Sequence, residues 1–313
     1  MRARHAAACL AALLLAAPLL AACGGTSADP GPPPDQKLDS ANRAGTQALS
    51  LGMPAQAVRQ YRLALTRAYE RDDAEAIADT AYNLALAEIR AGEPKAALAT
   101  TRTAEAELQR RQVAVPAELL LVQAAAAYRA GDATTAASAA QQALTLKARD
   151  PDTVPRAWFI RGLVAADRGD GATLAQAIAA LAPVASTAGK STDLQADRQE
   201  LVGRAALLDG QAAAARTAFE QAANNRQQAV DYRGMARALA LAGEASLKLG
   251  QSAEAAVFYL RAGRSSLLQG DTAAATPQLK RAEELARQTA QAGIVEEIAR
   301  LRKAAAEKRA AGM

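Results

Sequence analysis

Residues 85–104 read ALAEIRAGEPKAALATTRTA, and the way this stretch stops and restarts decides the fold. Gly92 ends one helix, because glycine enters the left-handed backbone of a C-cap without steric cost. Glu93 starts the next helix, and Pro94 falls in its first turn, where a missing N–H is harmless. Ala85 lies seven residues before the glycine, with Ala97 five and Ala104 twelve after it. These small residues let two antiparallel helices approach closely.

The same spacing occurs five more times. The runs are Gly52-Ala57-Tyr61-Ala64, Gly131-Ala136-Ala140-Ala143, Gly169-Leu174-Ile178-Leu181, Gly210-Ala215-Phe219-Ala222 and Gly250-Ala255-Tyr259-Ala262, beside Gly92-Ala97-Thr101-Ala104. Successive marker glycines are 40, 39, 38, 41 and 40 residues apart. Self-similarity at this period marks a repeat solenoid. Seven residues upstream of each glycine stands a small residue: Gly45, Ala85, Ala124, Gly162, Gly203 or Gly243. Tyr61, Phe219 and Tyr259 are expected to fill the space between adjacent helix pairs. Alanine, arginine, leucine, glutamine and glutamate dominate, and β-branched and aromatic residues are sparse, so an all-α body is expected.

The order small residue, glycine, Ala, Tyr/Phe, Ala resembles the tetratricopeptide repeat (TPR). Trp158, four residues before Gly162, sits where that family carries an early tryptophan. The match runs from about Leu38 to Ala262. The resemblance implies a right-handed TPR-like superhelical solenoid of antiparallel helix hairpins, non-catalytic and used for protein binding. The family's usual period is about 34 residues, so longer helices or links are expected here. Repeat four departs most from the pattern, and a longer loop is expected at Pro183 to Thr192. Gly270-Ala275-Leu279-Ala282 repeats the pattern only 20 residues after Gly250. The second helix of repeat six is therefore expected to serve again in a partial seventh. The expected division is a repeat domain over 38–292 and a C-terminal capping helix and tail over 293–313, with Ile294, Ile298 and Leu301 on one face of that helix.

The N-terminus reads as an export signal over 1–22, with Arg2, Arg4 and His5 before a nearly apolar Ala6 to Ala22. Leu20-Ala21-Ala22-Cys23 resembles the lipobox of bacterial lipoproteins, which implies a diacylglycerol thioether on Cys23, acylation of its amine, and cleavage before it. Gly24 and Gly25 follow in place of the aspartate that favours inner-membrane retention. The implied location is the periplasmic side of the outer membrane. Pro30, Pro32, Pro33 and Pro34 mark 23–37 as an extended spacer.

This accounting excludes much chemistry. Cys9 and His5 leave with the signal and Cys23 is lipidated, so the mature chain lacks imidazole and free thiol. Cys/His and Ser/His/Asp nucleophile pairs, zinc sites and CxxC redox chemistry are excluded. Without Arg2 and Arg4 there are 35 basic against 32 acidic residues, a mild, interspersed excess that is no nucleic-acid footprint. Gly189-Lys190-Ser191 lacks the glycine at 184 that a phosphate loop needs, so no nucleotide is expected. Arg168-Gly169-Asp170 straddles a marker-glycine turn, and architecture explains it. No metal, cofactor or catalytic residue is expected.

In the family, the first helix of each hairpin lines the concave surface. Placing each marker glycine at position 15 of its repeat points to Tyr82, Arg90, Tyr128, Arg129, Arg156, Phe159, Glu200, Arg204, Arg237 and Lys248 as ligand-facing. Arginine and aromatic residues are enriched at protein interfaces. The family's carboxylate-clamp positions carry Asn42, Thr46, Asn83, Glu118 and Val122, of which only Asn83 fits. The expected role is an adaptor for a protein or peptide in envelope assembly, such as pilus secretin, barrel-assembly or peptidoglycan-enzyme complexes. A module binding peptidoglycan or another anionic polymer is the alternative.

Overall fold

The computed structural model describes residues 33–185 and 192–310. The signal segment, Cys23 and most of the proline-rich spacer lie outside the described residues, as does the loop expected near 186–191. From Lys37 onward the chain forms one unit. Among the described residues are fourteen helices and no strand: α1 (Gln36–Ser50), α2 (Pro54–Glu70), α3 (Ala74–Arg90), α4 (Pro94–Arg110), α5 (Ala117–Arg129), α6 (Ala133–Thr145), α7 (Thr153–Arg168), α8 (Gly171–Ala185), α9 (Thr192–Leu208), α10 (Ala212–Gln228), α11 (Tyr232–Lys248), α12 (Ser252–Leu268), α13 (Thr272–Gln288) and α14 (Ala292–Ala310). The all-α solenoid of antiparallel hairpins is as expected.

The long period has a simple origin. Most helices outside the α5–α8 segment are 17 residues long and are joined by turns of three. Each turn ends one helix and begins the next. At the α3–α4 turn, Gly92 N–H donates to the Ile89 carbonyl and Glu93 N–H to that of Glu88, a Schellman closure. Gly92 itself has φ +82°. At the α2–α3 turn the same bonds run from Asp72 to Tyr69 and from Asp73 to Ala68, and the Asp73 carboxylate then accepts from Ala76 N–H to cap α3. Asp132, Asp231 and Asp271 cap α6, α11 and α13 likewise.

Glycine occupies the left-handed position within the first six hairpins. Between hairpins the same geometry is held by Asp72 and Gln112 (φ 55° and 56°) and by Val230 (φ 60°). Those turns were invisible to a glycine search. Gly270 lies between α12 and α13, and a Cβ on Gly263 would come within 2.6 Å of Leu279, so α12 packs on α13 as the two helices of a repeat do, in line with its expected second use. The turn from α13 to α14 runs through Ala290 (φ 56°). Pro183, expected to open a loop, lies inside α8.

The residues five and twelve after the marker glycines are buried in every repeat, from Ala57 and Ala64 to Ala255 and Ala262, with Leu174 and Leu181 in the fourth. The upstream glycines explain the rings. A Cβ on Gly45 would come within 2.8 Å of the Tyr61 ring, on Gly203 within 2.5 Å of Phe219, and on Gly243 within 3.0 Å of Tyr259. Each ring thus lies over the glycine of its own hairpin and reaches the next pair from there. In repeat four, Gly162 instead receives Leu201 from α9, whose methyl would lie 2.4 Å from an added Cβ. The departure of this repeat is filled by its neighbour.

Two stability changes follow. Gly203→Ala forces a methyl into Phe219 and is expected to cost about 1–3 kcal/mol. Val230→Gly relieves a β-branched residue of left-handed backbone and is expected to raise stability by about 1 kcal/mol. Urea denaturation midpoints at neutral pH check both; a destabilised Val230→Gly would mean that its side chain holds the turn.

Candidate functional site

The odd helices form one row: α3 packs on α5, α5 on α7 and α7 on α9. Beyond α9 the link to α11 is made by charged side chains. The row returns on itself, because Arg233 at the start of α11 donates from Nη1 to the carbonyl oxygen of Arg90 at the end of α3, 2.8 Å away. The odd-helix face is therefore the inner one.

A continuous polar ladder crosses this face. Tyr128 on α5 feels the charge of Asp167 on α7, which adds to the rise that burial gives its phenol, and Asp167 accepts from Arg204 Nη1 on α9 at 3.0 Å. Arg204 pairs at 3.4 Å with Glu200 one turn earlier. Arg237 on α11 then grips both Glu200 oxygens, with Nε at 3.2 Å from each and Nη2 at 2.9 Å from Oε2. Glu200 is wholly buried, so burial pushes its carboxyl upward; Arg237 and Arg204 outweigh this and hold it below its ordinary value. The same attraction raises Arg237. Burial pushes the Tyr128 phenol up to about 12.

Behind the ladder, Arg226 reaches in from α10. It contacts Asp197 on α9, pairs with Asp231 at 3.0 Å, and lies 5.9 Å from the centre of the Phe159 ring. Asp197 behaves unlike Glu200: burial outweighs Arg226 and holds its carboxyl up at about 6.

The α6–α7 connection covers another part of the face. Arg149 and Asp150 donate their backbone N–H groups to Glu118 Oε1 at 2.6 and 3.0 Å, and Arg149 Nη2 reaches Asp79 Oδ1 at 2.9 Å. Burial pushes the Glu118 carboxyl up, but the backbone donors bring it below its ordinary value. Tyr82, raised first by burial, feels Asp150, Arg156 and Glu118.

The ten sequence-derived residues thus divide. Tyr128, Glu200, Arg204 and Arg237 come together in the ladder, and Phe159 joins through Arg226. Glu200 is enclosed, so it positions arginines instead of facing a ligand. Arg156 pairs with Asp193 at 3.8 Å. Tyr82 is half-buried beside the α6–α7 connection. Arg90, Arg129 and Lys248 are exposed, each near the end of an odd helix. Asp79, Glu118, Asp167 and Asp197 share the register positions of the chosen residues and were within reach of that rule. Arg226, on an even helix, and Arg149, in a connection, were not; the one signal for Arg226 is a charge at the spacing of buried Ala222 and Ala223. The Arg168-Gly169-Asp170 string is a helix stop and start, with Gly169 at φ 69° and Asp170 accepting from Thr173 N–H.

No protein-family model and no curated protein matches this sequence. Among solved structures, a tetratricopeptide repeat protein from Parabacteroides merdae superposes with a TM-score of 0.47 at 16% identity, covering 85% of this chain and 99% of that one. MamA protein gives 0.41 at 18%, covering 63% and 95%. The TPR2AB domain of yeast Sti1, in a complex with pHSP90, gives 0.35 at 16%, covering 86% and 98%. These are likenesses of fold. The tetratricopeptide-like character of this chain is carried by its own hairpins: glycine C-caps, small residues at the crossing, and one helix of each pair in an inner row.

Glu200→Gln removes the charge that three arginines surround and is expected to cost about 3–5 kcal/mol at pH 7. Asp197→Asn has the opposite pH signature. A carboxyl raised above its unfolded value of about 3.9 stabilises the fold fully below that value, and the contribution is lost as pH rises through about 6. Asp197→Asn should therefore remove about 2 kcal/mol of the stability decline between pH ~4.5 and ~7. Urea titrations of both variants at the two pH values test this, and an unchanged slope in Asp197→Asn would refute the raised carboxyl.

Proposed function

We propose that this protein is a lipid-anchored, non-catalytic scaffold on the periplasmic side of the outer membrane, holding a protein or peptide partner against its inner row of helices during envelope assembly at pilus secretin, barrel-assembly or peptidoglycan-enzyme complexes. The observation that carries the reading is the division of charge on the inner face. Among the described residues, Asp79, Asp167, Asp197 and Glu200 on that face are each paired with an arginine, which fixes the surface that a partner would meet. Exposed Arg90, Arg129 and Lys248 remain at the helix ends, where a partner can reach them. The anchor rests on the lipobox-like Leu20-Ala21-Ala22-Cys23, and its acyl chains, at about 0.8 kcal/mol per buried methylene, would hold the body durably.

Two experiments separate the parts of this reading. Cys23→Ala is expected to block lipidation and leave unprocessed precursor in fractionated cells; normally anchored mature protein would defeat the lipoprotein assignment. A photo-crosslinking amino acid at Arg90 or Lys248, activated in the native envelope, is expected to trap a discrete protein partner, whereas one at Arg59 on α2 traps none. Equal adducts from all three positions would move binding away from the inner face.

A further inference from the structure

The outer row of helices carries a cavity that shares no residue with the inner ladder. Helices α4 and α6 both pack on α5, and side chains of all three line a space of about 310 Å³. Arg102 and Glu105 enter it from α4, three residues apart, a spacing at which opposite charges ordinarily meet on a helix. They make no ion pair with each other here. Arg102 Nη2 reaches instead across to the start of α6, 3.0 Å from Asp132 Oδ2 and 2.7 Å from Thr135 Oγ1. Asp132 is held in place for this, since its other oxygen accepts from Thr135 N–H to cap α6.

The consequence is a carboxylate without a counter-charge. Glu105 accepts only from neutral amides, Gln109 Nε2 at 3.3 Å on Oε1 and Gln123 Nε2 at 2.7 Å on Oε2, and no cation pairs with it among the described residues. Gln123 reaches the cavity from α5 and is only 4% exposed. A carboxylate can only accept, so the atom it holds must be the amide nitrogen, and this fixes which end of Gln123 is which. Its Oε1 then has no hydrogen-bond partner among the described residues, yet it is not sealed from solvent. An amide oxygen in that state costs free energy unless water or a ligand meets it. On α6, Ser138 Oγ accepts from Gln142 Nε2 at 3.2 Å and keeps a second lone pair.

We propose that this cavity binds a primary alkylammonium group, the head of a lysine side chain or of a free diamine. The three N–H donors of an ammonium match the three acceptors left open there, on Glu105, Gln123 and Ser138, and its charge answers that of Glu105. A guanidinium fits less well, because each Glu105 oxygen already holds one amide donor and the two-pronged approach that arginine favours is taken up. Arg102 does not repel the newcomer strongly, since Asp132 neutralises it from 3.0 Å away. Ala139 also lines the space and offers apolar surface to a methylene stem. The volume suits a single chain end, being at the low end of the roughly 300–1,000 Å³ that small-molecule sites span. The site stands on the outer row and does not depend on what the inner face holds.

The test is saturation-transfer-difference NMR of n-pentylamine, N-acetyl-lysine methylamide and cadaverine with the full chain at neutral pH and low ionic strength. The uncharged isostere n-pentanol serves as the parallel probe. The amines are expected to receive saturation from the protein and n-pentanol not. Glu105→Gln keeps an acceptor for Gln123 and removes the charge, so it should weaken amine binding roughly tenfold or more. Glu220→Gln on α10 should leave it unchanged, and thermal melts establish that each variant is folded. Tighter binding of the lysine derivative than of cadaverine assigns the site to a partner's side chain, and the reverse order assigns it to a free diamine. No transfer to any amine, equal transfer to n-pentanol, affinity indifferent to Glu105→Gln, or displacement of the amine by equimolar potassium would each overturn the proposal.

Discussion

The constraint on which everything else depends is a turn of three residues. One residue ends a helix, the next takes left-handed backbone, and the third closes the Schellman bond while serving as N-cap of the following helix. Two helices and two such turns make the forty-residue period. Because the turn leaves little slack, each helix is fixed in phase against the last, and at three crossings a glycine must make room for a ring. Gly203 beneath Phe219 and Gly45 beneath Tyr61 express that requirement directly.

Where the period changes, the surface changes. Helices α5 and α6 have 13 residues each, and most of the length they give up reappears in the connections 111–116 and 146–152. The second connection folds onto the inner face through Arg149 and Glu118. Past α9, charged side chains bridge the odd helices, and buried Glu200 holds arginines from α9 and α11 together. A buried carboxylate with several cations is weak evidence for stability and stronger evidence for a fixed arrangement. Here it ties α11 to α9, and the first turn of α11 meets α3 through Arg233.

The hairpins, the glycine turns and the buried alanines were legible in the sequence because each depends on residues a fixed distance apart in the chain. The turn into α14 was not legible for a related reason: it uses Ala290, and a left-handed alanine leaves no trace in sequence. The site was legible only in part. A register carried over from the repeat found Tyr128, Arg204 and Arg237, since residues on one helix face recur with the helix. It could not separate enclosed Glu200 from open Arg129, because both occupy inward positions and differ only in what the neighbouring helices present to them.

The sequence by itself determined local architecture: helix lengths, turn chemistry, crossing residues, and the absence of histidine and thiol from the body. Tertiary structure alone decided which charges cancel. Arg226 enters the ladder from an even helix, Arg149 arrives from a connection, and Arg233 crosses to Arg90, 143 positions away in the chain. Electrostatic pairing acts through space between groups whose separation along the chain is arbitrary, so no periodicity encodes it. The cations left over after that pairing are a property of the folded chain.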